Sequence, residues 1–355
     1  MKFYFPFMLT AFLSLALFQS CSKNDAVSPV PSSKKVYVAG FNKNSAGVYE
    51  TVLWENGTKQ ILSTNGSVVN FANSVYVFGT DVYVAGSMKD AVTNKIKAVI
   101  WKNGALSNLT DGTDAYAVAK SVFVSGSDVY VAGTVQDASF TLNPVIWKNG
   151  TKTILPFGAG VDYAELTSVF VSGTDVYVSG NVMKSSGFYA IGVWKNGIYS
   201  EISASASNLY CSGLYVSGSD VFVCGNENDG ASINGPRLWK NGTLLSLTTP
   251  SSSIAEARSV FVNGSDVYVG GFVVNSVTNE WNARYWKNGN LVNLPDGPKS
   301  SLVNSLFIDG ADVYTVGWEE TATRVKVAKL WKNGVATTLS EANALGSEPL
   351  SVFVK

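Results

Sequence analysis

The chain has no histidine among its 355 residues. That absence excludes Ser-His-Asp and Cys-His nucleophile arrangements, histidine general-base mechanisms and histidine-ligated metal sites. Charge is scarce, at 15% of residues, and balanced, with 26 Lys and Arg against 26 Asp and Glu. A net charge of zero lacks the basic footprint of a nucleic-acid binder, so no nucleic-acid partner is expected. No Asp-x-Asp-x-Asp spacing points to calcium, and no nucleotide motif is present, so neither a metal nor a cofactor is expected. What the chain does have is apolar material, 46% hydrophobic and 12% aromatic, enough for a sizeable core.

The N-terminus reads as an address. Residues 1–20 carry Lys2 and then an apolar stretch from Phe3 to Phe18, too short to span a bilayer as a helix but suited to a signal-peptide core. It ends in Leu17-Phe18-Gln19-Ser20-Cys21, which resembles a bacterial lipobox with Phe18 where that motif usually has Leu. The resemblance implies cleavage before Cys21 and its lipidation, a membrane partner through that anchor, and an outer-membrane or cell-surface location. The alternative is a periplasmic or secreted protein with a chance cysteine. Residues 21–35 are polar and Ser/Pro-rich and read as a tether.

Residues 36–355 repeat one unit seven times. Val36-Tyr-Val-Ala-Gly40 returns in closely similar form at Val82, Val129, Val176, Val221, Val267 and Val313, a period of 45 to 47 residues. Each unit also holds an apolar run ending in Trp (54, 101, 147, 194, 239, 286 and 331) and then Asn-Gly, the signal of a two-residue type I′ hairpin turn. A further strand such as Ser121-Val-Phe-Val124 precedes each Val-Tyr-Val. One unit is therefore four short strands, A to D. Strands A and B are apolar on both faces, which suits blades stacked around an axis.

The first unit begins at strand B, while Ser351-Val-Phe-Val-Lys355 supplies an extra strand A at the C-terminus. The expected fold is all-β: a monomeric seven-bladed β-propeller of four-stranded antiparallel blades, closed by the C-terminal strand A pairing with strands B to D of the N-terminus. The Val-Phe-Val strand, the turn and the Val-Tyr-Val-x-Gly strand together resemble a kelch-type blade. That likeness implies architecture rather than a partner, since such propellers serve as enzymes, adaptors and lectins.

Most repeated residues are expected to be structural. The seven Trp should pack between blades. Asp81, Asp128, Asp175, Asp220, Asp266 and Asp312 recur at the A-B turn, where a carboxylate can accept from nearby backbone N–H groups. Cys211 and Cys224 fall on one face of a strand pair, as two free thiols or as a diagonal disulfide.

Function should sit where the repeats differ, on the face formed by the B-C and D-A loops. The residue after the strand-B glycine is aromatic in three blades that become neighbours on closure: Phe272, Trp318 and Phe41 in blades 6, 7 and 1. Trp281 lies in the blade 6 loop, and Glu256, Arg258 and Glu348 fall near the start of strand A in the same sector. Rings with carboxylates and an Arg suit a glycan or protein ligand, so a binding module is the leading expectation. A glycoside hydrolase or lyase using Glu256 and Glu348, or an envelope scaffold with no dedicated site, are the alternatives.

Overall fold

The computed structural model describes residues 34–355 except 65–69, 91, 111, 113, 203–206, 229–233 and 251–253. The signal peptide, Cys21 and nearly all of the tether lie outside the described residues. The described residues hold 28 strands and no helix. They form seven four-stranded antiparallel blades, each ordered A-B-C-D; blades 2 and 3 also share one parallel bridge, Ile96 with Tyr116.

The Asn-Gly pairs form as expected. Their Asn φ angles lie between 49° and 52° and the following Gly angles between 79° and 82°, so both central residues are left-handed, as a type I′ turn requires. Strand A is longer than the Val-Phe-Val core suggests. It runs over Phe71–Phe78, Tyr116–Ser125, Val161–Ser172, Asn208–Ser217, Ala255–Asn263 and Ser301–Asp309 in blades 2 to 7. In blade 1 it is Gly346–Val354, which pairs antiparallel with strand B, Val36–Lys43, from Val36 opposite Val354 to Lys43 opposite Gly346. The first blade is thus completed by the C-terminal strand.

Closure of the ring is visible in its aromatic side chains. Tyr76, Phe123, Phe170, Tyr215, Phe261, Phe307 and Phe353, the middle residues of the seven Val-Phe-Val segments, each contact two neighbours. Successive ring centroids lie 4.6 to 4.9 Å apart, and the cycle returns from Phe353 to Tyr76. These tilted contacts are favourable aromatic geometry and form a collar round the axis. Burial in it pushes the Tyr76 hydroxyl up to about 12, with Tyr215 adding a smaller electrostatic effect.

The serine before the Val-Phe-Val segment links blade to blade at five of the junctions. The backbone N–H of Val75 donates to Ser351 Oγ at 3.1 Å, and Val122, Val169, Leu306 and Val352 donate likewise to Ser74, Ser121, Ser259 and Ser305 of the preceding blade. The seven repeated Trp are all buried, Trp239 being the most accessible at 5%. They pack in the clusters between blades.

The repeated aspartates do something other than the turn chemistry expected of them. Asp81 accepts from the Asn103 side-chain amide at 2.8 Å and pairs with Lys102 at 2.8 Å, while Asn103 Oδ1 takes the backbone N–H of Val82. The same Asp, Lys and Asn set recurs in blades 3 to 7. The carboxylate therefore ties strand B to the C-D turn, and the amide does the capping. Cys211 and Cys224 are free and buried. Burial pushes both thiols up, Cys224 well above the usual value, which leaves them unreactive.

Candidate functional site

Every strand A carries a β-bulge one residue before the linking serine or its Gly213 counterpart. The register against strand B skips Asn73, Lys120, Thr167, Ser212, Arg258, Asn304 and Leu350. A bulge re-aims a side chain, and here it does so at the same place in every blade, with six residue types among the seven positions. The strand-B glycine makes this possible. A Cβ on Gly271 would strike the carbonyl oxygen of Glu256, and one on Gly86 that of Phe71. Only glycine lets the bulged strand lie so close.

Several bulge residues reach the next blade. Asn73 donates to the Ala119 carbonyl at 2.7 Å and Asn304 to the Pro349 carbonyl at 2.9 Å. Arg258 donates to Asn304 Oδ1 at 3.3 Å, and Thr167 to Cys211 Sγ at 3.3 Å. In blades 5 to 7 and 1 they line an open depression of about 300 Å³ walled by Ser212, Glu256, Arg258, Asn304 and Leu350.

Six of the seven sector residues named from the sequence meet in one network beside this depression. Glu256 pairs with Arg258 at 3.0 Å, Arg258 reaches Asn304, and Asn304 donates to Glu348 at 3.4 Å. Lys326 pairs with Glu348 at 3.0 Å and sits 4.4 Å above the Trp318 ring. Trp281 stacks on Phe272 with centroids 4.6 Å apart and planes 10° from parallel, and lies 6.0 Å from Trp318. The Arg258 guanidinium lies 5.7 Å from the Phe272 centroid and closes the loop.

The members are not equally available. Phe272 and Trp318 are buried, at 1% and 3% exposure, and pack with Val274 and Leu302, whereas Trp281 is 37% exposed. A ligand at this sector therefore meets Trp281, with Phe272 as its backing. Phe41 stands apart from the stack: it is opposite Glu348 in the strand register but packs on Tyr49 and Phe71.

Trp281 is also fixed from its outer side. Its neighbour Glu280 accepts from Ser300 at 2.7 Å and holds Arg324 of the blade 7 loop at 2.8 and 2.9 Å. The Ser300 hydrogen bond, and then Arg324, lower the Glu280 carboxyl below its usual value. Sequence reasoning missed Asn304, Lys326 and the Glu280–Arg324 bridge. The bulge residues vary at one fixed offset before the Val-Phe-Val segments, but only the strand-B glycine hints that a bulge lies there.

Comparison with protein-family models and with curated proteins finds no match. Among solved structures, the chain is similar to the β-propeller domain of the Trilobed protease from Pyrococcus furiosus, at TM-score 0.50 and 11% identity over 87% of this chain and 95% of that one. It is also similar to Trypanosoma rangeli sialidase in complex with the inhibitor DANA, at TM-score 0.50 and 11% identity, covering 84% of this chain but 56% of the sialidase. At these identities the likeness is one of fold: the chain is a β-propeller. The protease propeller is described as having an open velcro topology, whereas here the C-terminal strand completes the first blade.

Proposed function

We propose that the chain is a membrane-anchored, extracytoplasmic binding module that holds a glycan against the loop face of blades 6 and 7. The observation that carries this reading is Trp281, exposed to solvent and stacked on buried Phe272. An indole face fixed in place offers apolar contact to the C–H face of a sugar ring without an ordering cost, while Arg258, Glu256, Asn304 and Glu348 offer donors and acceptors beside it. A hydrolase built on Glu256 and Glu348 would need an open gap between the two carboxylates. Instead Arg258 and Asn304 lie between them, and each carboxylate already holds a cation.

A glycan array probed with the wild type and with Trp281→Ala tests the proposal. Binding that is lost in the variant supports it; failure of the wild type to bind any glycan overturns it. The anchor is a separate part of the proposal and rests on the lipobox-like sequence ending at Cys21. Replacing Cys21 by Ala should move the protein from the membrane fraction to the soluble one. A wild type that is already soluble would remove the anchor.

A further inference from the structure

We infer that the cavity between blades 2 and 3 is a second binding site, for a small ligand that joins an anionic group such as a carboxylate to an apolar body. This goes beyond the glycan reading and does not depend on it. The cavity has a volume of about 270 Å³. Phe71, Ile96, Tyr116, Val118 and Leu350 supply apolar wall, Lys89 and Lys120 are its charged residues, and no carboxylate lines it. The Ile96–Tyr116 bridge ties the two blades together beside it.

Lys120 is what marks the cavity as more than a gap. It occupies the bulge position at which Asn73, Thr167, Arg258 and Asn304 bond to the next blade. Among the described residues, Lys120 has no hydrogen bond and no ion pair, although it sits at the same bulge and lines the cavity. The Asn73 amide holds the carbonyl of Ala119, the residue before it, at 2.7 Å. The backbone under Lys120 is thereby fixed while its ammonium is left unmatched.

Lys120 is exposed into the open cavity, yet the surrounding protein lowers its ammonium below the usual lysine value, and the charge of Glu165 opposes this. A cation with no counterion, set beside apolar wall, pairs with an incoming anion while the apolar body of the ligand covers Phe71, Ile96 and Leu350. The cavity volume lies just below the range typical of drug-sized ligands, so the apolar body is about one ring in size.

Phenylacetate is a suitable probe, with phenylacetamide as its neutral counterpart. Both are titrated into the full chain and followed by saturation-transfer NMR and calorimetry. Phenylacetate should bind at least about tenfold more tightly than the amide, and Lys120→Met should remove that preference while the circular dichroism spectrum stays unchanged. Glu165→Gln should tighten phenylacetate binding by removing the competing charge, a gain that misfolding does not produce. Trp281→Ala should leave it unaltered, which separates this site from the glycan sector. No phenylacetate binding, equal affinity for acid and amide, or an acid preference that survives Lys120→Met would each overturn the inference.

Discussion

Lys35 and Glu55 exchange the charges that the other six blades carry at the same two positions. Elsewhere an Asp before strand B pairs with the Lys after the Trp of strand C, at 2.7 to 2.9 Å. In blade 1 the Lys stands before strand B and the Glu follows Trp54, 2.5 Å apart. Two departures from the repeat therefore compensate one another. Lys35→Asp alone should lower the melting temperature slightly, because it sets a carboxylate against Glu55. Adding Glu55→Lys should restore it. A double variant no more stable than the single one would show that the pair contributes nothing at this solvent-exposed site.

The same blade is where the ring is latched. Phe353 touches both Phe307 and Tyr76 in the aromatic collar, and Val352 and Val354 are buried beside it. Removing residues 351–355 would strip the inner edge from blade 1 and leave Ser351 absent from its bond to Val75. Aggregation is expected. The milder Phe353→Ala should cost roughly 2 to 4 kcal/mol, measured by urea unfolding, since it opens the collar at one point only. A truncated chain that melts with the wild type would refute the closure.

Stability should respond to acid at one end of the pH range only. Hydrogen bonds and charge from the Lys and Asn side chains hold five of the A-B turn aspartates, Asp81, Asp128, Asp175, Asp220 and Asp266, below the usual carboxylate value. A depressed folded-state value means that the stabilisation is present above the unfolded value and is lost as pH falls through the folded one. The melting temperature should therefore drop below about pH 4 and more gently at high salt. Between about pH 5.5 and 7.5 it should stay level, because there is no histidine to titrate. A step in that interval, seen by scanning calorimetry, would count against this assignment.

How far the sequence reveals the molecule depends on whether repetition exposes the feature. The Trp, the Asn-Gly turns and the Val-Phe-Val strands recur at one spacing, so the seven blades and their closure could be read directly. Phe272 and Trp318 were legible as an aromatic pair on neighbouring blades, but not as buried ones. Burial depends on Trp281 arriving from a different strand to cover Phe272. The bulge ring was hidden for another reason. An extra residue in strand A leaves no mark in composition or alternation, and only the strand-B glycine hints at the close approach it needs. Lys326 and Asn304 join the site through side chains from different strands, a relation that spacing within one strand does not encode.

Trp281 and Trp318 lie 6.0 Å apart yet should behave oppositely when replaced. Trp318 is buried with Phe272, Val274 and Leu302, so Trp318→Ala removes core and should destabilise the protein by roughly 3 to 5 kcal/mol. Any loss of glycan binding in that variant would follow from the damaged support. Trp281 gives up one stacked contact and an already accessible face, so Trp281→Ala should cost stability only about 0.5 to 1.5 kcal/mol. Its effect on binding should be larger, about 1 to 3 kcal/mol, the usual range for an aromatic anchor. Calorimetry of unfolding beside titration with a bound glycan separates the two quantities. If Trp281→Ala binds as tightly as the wild type, the exposed indole is only a cover for Phe272 and the glycan sector lies elsewhere.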